Sequence, residues 1–337
     1  ARRMNALEMI RIAAVGDLLM KSEIIGSVKE DDGYRFEPIF EQVAPYFQEH
    51  DLTIGNLETT FSGTNWHDEG ILKRPDSNRW IEKRHPKTRY PIFSCPDELA
   101  PALQHSGFDL LTTANNHCMD GGIKGLVRTL DVLDRHGLQH TGTFRTRGEA
   151  NNRLILTVKG IKLGIAAYTQ GTNSIPVPNP WQVSRLNRKK LFADVRELRK
   201  SADIVIVCLH FGREYRTSPT PSQRRLMSLL FRQGVNIVLG AHPHVLHPVT
   251  SARTKDIYGQ TRLRVAASSL GNFLTTRLKK EPKTLQGMIL SLTITRDKRG
   301  TADITKIDRI KTSVQRYEEQ GRTVFKVVPE RPWRQEH

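Results

Sequence analysis

The stretch Val235-Asn236-Ile237-Val238-Leu239-Gly240-Ala241-His242-Pro243-His244 passes from a strongly apolar run straight into two imidazoles. A run this short and this apolar reads as a strand covered on both faces. His-Pro-His has no evident structural purpose after it. The same arrangement occurs four more times. Phe108–Thr113 leads into Asn115-Asn116-His117, and Ile204–Leu209 leads into His210. Ile12–Gly16 leads into Asp17, and Leu52–Gly55 leads into Asn56-Leu57-Glu58. Loops at the carboxyl ends of strands in an open α/β sheet converge on a common crevice, so five strands tipped with oxygen or imidazole donors imply one site at one sheet edge.

Around these runs the chain alternates strand and helix. Helical patterns cover Phe36–His50, Gly122–His136, Arg188–Ser201 and Ser222–Gln233. In the second, Ile123, Leu126, Val127, Leu130 and Leu133 form one stripe, which is core, and Gly137 is a stop signal. Leu154–Val158 and Ile161–Tyr168 flank Lys159-Gly160 as a β-hairpin. Arg264–Ser268, Met288–Thr295 and Ala302–Ile307 add strands. The sum is an α/β fold of two packed, mixed sheets with helices outside, read as one domain over residues 8–308. Ser62–Tyr90 is polar and Pro-containing and reads as an insertion or lid loop. Pro176, Pro178 and Pro180 hold Ile175–Trp181 out of regular helix. Residues 309–337 read as a charged tail or a peripheral strand.

Asp17, Glu58, Asn116, His210, His242 and His244 together offer the carboxylate, carboxamide and imidazole donors that a divalent cation such as Mn, Fe or Zn takes. Gly16, Gly55 and Gly240 precede them and permit close backbone approach. Six donors exceed what one tetrahedral ion needs. Two ions about 3.5–4 Å apart, bridged by Glu58, would use them. His117 is the candidate to protonate a leaving oxygen. Glu214 is a candidate to orient a ligand histidine, and Arg213 to face an anionic substrate. A solvated loop is the alternative for both. Asn272 is a candidate donor to a bound anion or simply part of a turn, and Asn56 is grouped with these substrate-facing or supporting residues. Each residue taken singly has a bland reading as a cap, a turn or a satisfied polar group; the shared strand-end context favours the site.

The chain has 337 residues, 37% apolar and 26% charged, enough for a real core. Its formal net charge is +17, with a pI near 10.0. That balance favours an anionic partner, either a small molecule or an acidic polymer. Nucleic acid is disfavoured, since no aromatic-interleaved basic motif is present. Cys95, Cys118 and Cys208 are too few for a disulfide framework. No segment approaches the about 20 apolar residues of a membrane span, so membrane attachment would need an anchor outside this chain. A cytoplasmic or an envelope-associated location fits equally.

The ordered set Gly16-Asp17, Gly55-Asn56-Leu57-Glu58, Ala114-Asn115-Asn116-His117 with Asp120 and Gly122, His210-Phe211-Gly212-Arg213-Glu214-Tyr215, Gly240-Ala241-His242-Pro243-His244 and Ser269-Leu270-Gly271-Asn272-Phe273 resembles the bacterial capsule-synthesis CapA (poly-γ-glutamate, PGA_cap) family. The resemblance implies a calcineurin-like metallophosphoesterase fold, a four-layer αββα sandwich. It implies that the six donors match metal ligands, that His117 matches the leaving-group histidine, and that the protein serves capsule or poly-γ-glutamate biosynthesis. Two departures stand out. Leu19 occupies a position where calcineurin-like enzymes carry histidine, and the second motif presents Asn56-Leu57-Glu58 where they carry aspartate.

Overall fold

The computed structural model describes residues 8–64, 66, 72–74, 76–77 and 79–332. Their strands, in chain order, are β1 (Met9–Leu18), the two-residue β2 (Lys29–Glu30) and β3 (Gly33–Tyr34), β4 (Leu52–Leu57), β5 (Leu110–Thr112), β6 (Gln139–Thr141), β7 (Leu154–Val158), β8 (Ile161–Thr169), β9 (Ile204–His210), β10 (Ile237–Ala241), β11 (Val249–Lys255), β12 (Thr261–Ala267), β13 (Asn272–Leu274), β14 (Gln286–Arg296), β15 (Ala302–Glu319) and β16 (Arg322–Pro329). The helices are α1 (Ser22–Ser27), α2 (Glu37–Phe40), α3 (Ala44–Gln48), α4 (Leu99–Ser106), α5 (Gly122–Arg135), α6 (Arg147–Asn151), α7 (Arg188–Ser201) and α8 (Pro221–Arg232).

One sheet runs β16-β15-β14-β1-β4-β5-β6, with β13 pairing parallel to the end of β1. Its β1, β4, β5 and β6 are parallel, and β14, β15 and β16 extend it antiparallel. The other runs β11-β12-β10-β9-β8-β7, with a parallel centre and an antiparallel strand at each edge.

Strand alternation sorts the side chains into layers. Ile204, Ile206 and Cys208 of β9 meet Ile10, Ile12, Ile54 and Leu110 of the first sheet in a core between the sheets. Val205, Val207 and Leu209 point the other way, onto Leu191, Val195 and Leu198 of α7 and Leu230 of α8. On the far side of the first sheet, Ala13, Val15, Leu57 and Leu111 pack against Phe40, Phe47, Leu103 and Leu130 of the remaining helices. The order helix–sheet–sheet–helix is the four-layer αββα sandwich, as expected.

The hairpin of β7 and β8 forms at Lys159-Gly160, both with positive φ. α5 matches its predicted span, and Gly137 adopts φ 69° just past its end. Ile175–Trp181 contains neither helix nor strand. Two expectations need correction or redrawing. The helix read over Phe36–His50 is two short helices, α2 and α3, joined by a turn. Buried Phe36, Ile39, Phe40, Val43 and Phe47 keep helical spacing, but Pro45 has no N–H for the carbonyl four residues back, so the first helix ends and a second begins with Pro45 in its first turn. The boundary at 308 falls inside β15, which runs unbroken through it, and β16 pairs with β15 from Thr312 to Glu319. In the Ser62–Tyr90 segment the described residues hold bridges Lys73–Trp80 and Arg84–Pro91, and Trp66 and Leu72 form a small apolar cluster with Ile92. Residues 65, 67–71, 75 and 78 of that reading lie outside the described residues.

Candidate metal centre

The inward positions of β9 are 204, 206 and 208, so the next inward position, at the strand's last residue, is His210. The alternation that buries the isoleucines also delivers an imidazole to the rim of the inter-sheet core. β10 does the same with Ile237 and Leu239, and the chain then turns at His242-Pro243-His244. His242 has φ 101° and His244 has φ 61°. Left-handed backbone at two non-glycine residues is costly and persists only where the surroundings enforce it, a pattern that clusters at functional sites. Tyr215 N–H donates to the Pro243 carbonyl at 2.8 Å and helps hold that turn. At the end of β1 a register shift falls between Ala14 and Asp17. A Cβ on Gly16 would lie 2.0 Å from the Gly271 carbonyl oxygen, and one on Gly240 would lie 2.1 Å from that of Ser268. Close strand contact, not positive φ, explains both glycines.

Four strand ends thereby bring five side chains together. His210 Nε2 is 3.4 Å from Glu58 Oε1 and 4.0 Å from Asp17 Oδ1. His244 Nδ1 is 3.3 Å from Asp17 Oδ2. The His210 and His242 rings are 4.8 Å apart between centroids. Three overlapping groups each place their donor atoms within 4.8 Å of one another: Glu58 with His210 and His242; Asp17 with Glu58 and His244; Glu214 with His242 and His244. Glu58 belongs to two of them.

Asp17 and Glu58 are completely buried. Among the described residues, Asp17 Oδ2, both Glu58 carboxylate oxygens, both His210 ring nitrogens, His242 Nδ1 and Asn116 Oδ1 have no hydrogen-bond partner. Buried polar atoms are normally satisfied, and leaving one unmade costs on the order of 1–3 kcal/mol. The unsatisfied atoms of Asp17, Glu58, His210 and His242 are of the hard and borderline kind and lie in one cluster, which fits a divalent cation.

The electrostatics agree. Burial pushes the His210 and His242 imidazoles down to about 3, so both are neutral, the form that ligates a metal. Burial, and then the neighbouring Asp17 charge, push Glu58 up. For His244 burial works downward, but Glu58 and Asp17 outweigh it and the imidazole is held cationic. Burial would raise Asp17, yet its contacts with His244 and His210 and its bond from Asn56 pull it below the ordinary carboxylate range. Protons here fill the role a cation would take.

A second layer orients these groups. Asn56 Nδ2 donates to Asp17 Oδ1 at 2.7 Å, and Asn56 Oδ1 accepts from Thr112 and Asn115. Asn115 also donates to the Leu57 carbonyl at 2.7 Å. Asn272 Oδ1 lies 3.0 Å from His244 Nδ1, and its amide donates to the carbonyls of His244 and Thr284. Asn272 is therefore committed to holding His244; its amide is not presented to an anion. Glu214 Oε1 is 3.8 Å from His244 Nε2. Arg213 is exposed and lines a groove with Gln170, Phe211 and Arg225 whose lining contains none of the clustered donors. Leu19 is buried and brings no donor.

His117 sits beside the cluster. Its Nδ1 is 2.6 Å from Asp120 Oδ2, and that oxygen also accepts from Phe93 N–H at 2.8 Å. The Phe93 ring packs on the imidazole with centroids 4.5 Å apart. Burial lowers the His117 pKa, but Asp120 outweighs it and the net shift is upward. Asn116 Nδ2 donates to Asn173 Oδ1 at 3.0 Å, which aims the amide and leaves its oxygen free. The roles of Asp120, Asn115, Thr112 and Asn173 went unread in the sequence. Asp120, three residues after His117, was the one with a signal available, since an i+3 carboxylate can fix an imidazole tautomer.

Comparison with known proteins adds the family. Residues 11–277 match the family described as bacterial capsule synthesis protein PGA_cap. The chain is 26% identical over 273 residues to the capsule biosynthesis protein CapA of Bacillus anthracis, covering 79% of this chain and 60% of that one. It is 26% identical over 304 residues to the PGA biosynthesis protein CapA of Bacillus subtilis, covering 89% and 72%. Among solved structures, a Staphylococcus aureus protein assigned as a 5'-nucleotidase superposes with a TM-score of 0.52 at 13% identity, over 90% of this chain and 54% of that one. That likeness is one of fold. With the match running from β1 to just past β13 and through every strand end that carries a clustered donor, the chain belongs to the bacterial capsule synthesis protein PGA_cap family, built on a metallophosphoesterase-like fold.

Proposed function

We propose that the protein is a divalent-metal-dependent hydrolase acting on a phosphoester or related anionic substrate in capsule or poly-γ-glutamate biosynthesis. The observation that carries this reading is the set of unpartnered donor atoms on Asp17, Glu58, His210 and His242, gathered in one buried place. Asp17, Glu58, Asn116, His210, His242 and His244 would hold one or two ions, with Glu58 shared. Such ions supply Lewis-acid polarisation of a phosphoryl or acyl oxygen and a nucleophilic water near neutral pH. The chain's own residues supply the rest. Asn56 and Asn272 keep Asp17 and His244 in fixed rotamers. Asp120 binds His117 Nδ1, so the proton available for transfer is on Nε2. Asp120 outweighs burial and shifts the imidazole upward, the direction that favours a general acid for a leaving oxygen. Phe93 closes one face of the imidazole against water.

A second reading, a non-catalytic accessory protein that binds an acidic polymer, draws support from Leu19 and from the net charge of +17. Turnover of an aryl phosphodiester by protein loaded with Mn, Fe or Zn separates the two. The hydrolase reading expects turnover, reduced about 10²–10⁴-fold by His117→Ala with metal content retained. Bound metal with no cleavage of any ester would favour the accessory reading.

A further inference from the structure

The loop after β9 closes a four-residue turn, with Arg216 N–H donating to the Arg213 carbonyl at 3.4 Å. The third residue of that turn is Tyr215, with φ 65°. Glycine or asparagine normally fills this place, because left-handed backbone is costly for a bulky side chain. Such a conformation persists only where the surroundings enforce it, and residues held this way cluster at functional sites. The enforcing contact is on the page already: Tyr215 N–H donates to the carbonyl of Pro243, the residue between His242 and His244.

The ring is thereby set against the cluster. Its centroid lies 6.3 Å from that of the His244 imidazole, with the planes 38° apart, and the residue is half-buried. Burial, and then the Glu214 and Glu58 carboxylates, push the phenol up to about 12, so the hydroxyl lies within electrostatic reach of buried Glu58. The two buried tyrosines, Tyr46 and Tyr168, both donate their hydroxyls to protein oxygens. Among the described residues the Tyr215 hydroxyl has no such partner. Water could serve a solvated phenol, but water gives no reason to hold a tyrosine in a conformation suited to glycine.

We infer that Tyr215 touches the substrate: its hydroxyl donates a hydrogen bond to a non-leaving oxygen of the phosphoryl or related anionic group held at the cluster. The inference deepens the proposed function and rests on that reading for the group bound. His117 comes to the cluster from the loop after β5, in one sheet, and Tyr215 from the loop after β9, in the other. One residue then serves the oxygen that departs and the other an oxygen that stays. A donor fixed before the substrate arrives meets charge growing on that oxygen without reorganising. The strain at Tyr215 is the cost of that placement.

Tyr215→Phe in the full, metal-loaded chain tests this, since it keeps the ring and the turn and removes only the hydroxyl. For an aryl phosphodiester, kcat should fall about 10²-fold with KM within about threefold, and metal content should be unchanged. Affinity for inorganic phosphate, read by calorimetry, should fall about three- to tenfold. Tyr215→Asn, which suits the left-handed φ, should lose at least as much activity while melting no lower than wild type, a pairing that a purely structural tyrosine would not give. Wild-type kcat and phosphate affinity in Tyr215→Phe would overturn the contact, whatever Tyr215→Asn does to the melting temperature. A kcat loss that tracks a loss of metal would overturn it too, because the residue would then act by holding His244. Phosphate binding weakened by Tyr215→Phe in protein that cleaves no ester sinks the hydrolase reading and leaves the contact standing; turnover indifferent to Tyr215→Phe does the reverse. Wild-type protein that neither binds phosphate nor cleaves an ester sinks both.

Discussion

At the scale of single residues, the proposed metal binding sets protons against a cation. His210 and His242 are already neutral and give up nothing on ligating. Glu58 is pushed up to about 8, and His244 is also raised. Both hold protons at neutral pH that a cation must displace, so affinity should climb as pH rises toward and through about 8. Calorimetric titration of Mn or Zn in buffers of different ionisation enthalpy should show proton release at pH 7, shrinking at higher pH. Release that is absent at pH 7, or affinity that falls with rising pH, would contradict the assignment of Glu58 and His244. The positions that cluster, Asp17, Glu58, His210, His242 and His244, were legible in the sequence because each apolar run stops abruptly at a polar group; burial on both faces up to the last strand residue forces that contrast. The hydrogen bonds that hold the ligands were not legible. Asn115, Thr112 and Asn173 are short polar residues in turns, and nothing in their spacing separates a residue that aims a ligand from one that completes a turn. Arg213 shows the same limit from the other side: adjacency to His210 in sequence did not place it at the cluster.

At the scale of elements, the polar segment before Pro91 is tied down near the site. Glu82 accepts from the Ser22 N–H and hydroxyl, both at 2.9 Å, and lies 3.8 Å from the Lys21 ammonium. Its chain continues to Phe93, which packs on His117. Glu82→Ala removes three contacts at the start of α1 while leaving the cation cluster untouched. Faster proteolytic cleavage within 62–90 is the expected result, with metal content unchanged; cleavage at the wild-type rate would show that the tie is dispensable. The hairpin of β7 and β8 was readable here because strand runs that meet at a Gly turn leave a strong local signal. The helix over 36–50 misled because its buried residues keep helical spacing across the break, whereas Pro45 carried the correct signal.

At the scale of the whole molecule, the C-terminal segment belongs to the fold. Ile310, Val314, Phe325 and Val327 are buried in the same core as Phe40 and Phe47. The alternation Ile310, Thr312, Val314 was present in the sequence but was masked by Arg309 and Lys311 on the opposite face of the strand. Burying four such side chains contributes on the order of 1.5–3 kcal/mol each, comparable with the total stability of a domain, about 5–15 kcal/mol. A chain ending at residue 308 should therefore be insoluble or lack a cooperative thermal transition, whereas a dispensable tail would leave the melting temperature unchanged.

The whole account depends on donor atoms from four strand ends acting on one cation. A crystal grown from protein incubated with Mn, Fe or Zn, with data collected on both sides of that metal's absorption edge, tests this directly. The predicted result is an anomalous peak about 2.0–2.2 Å from carboxylate oxygen and imidazole nitrogen, bounded by Glu58, His210 and His242, with or without a second peak toward Asp17 and His244. No peak at the cluster in protein that is otherwise folded, or a peak only at the surface, would contradict it.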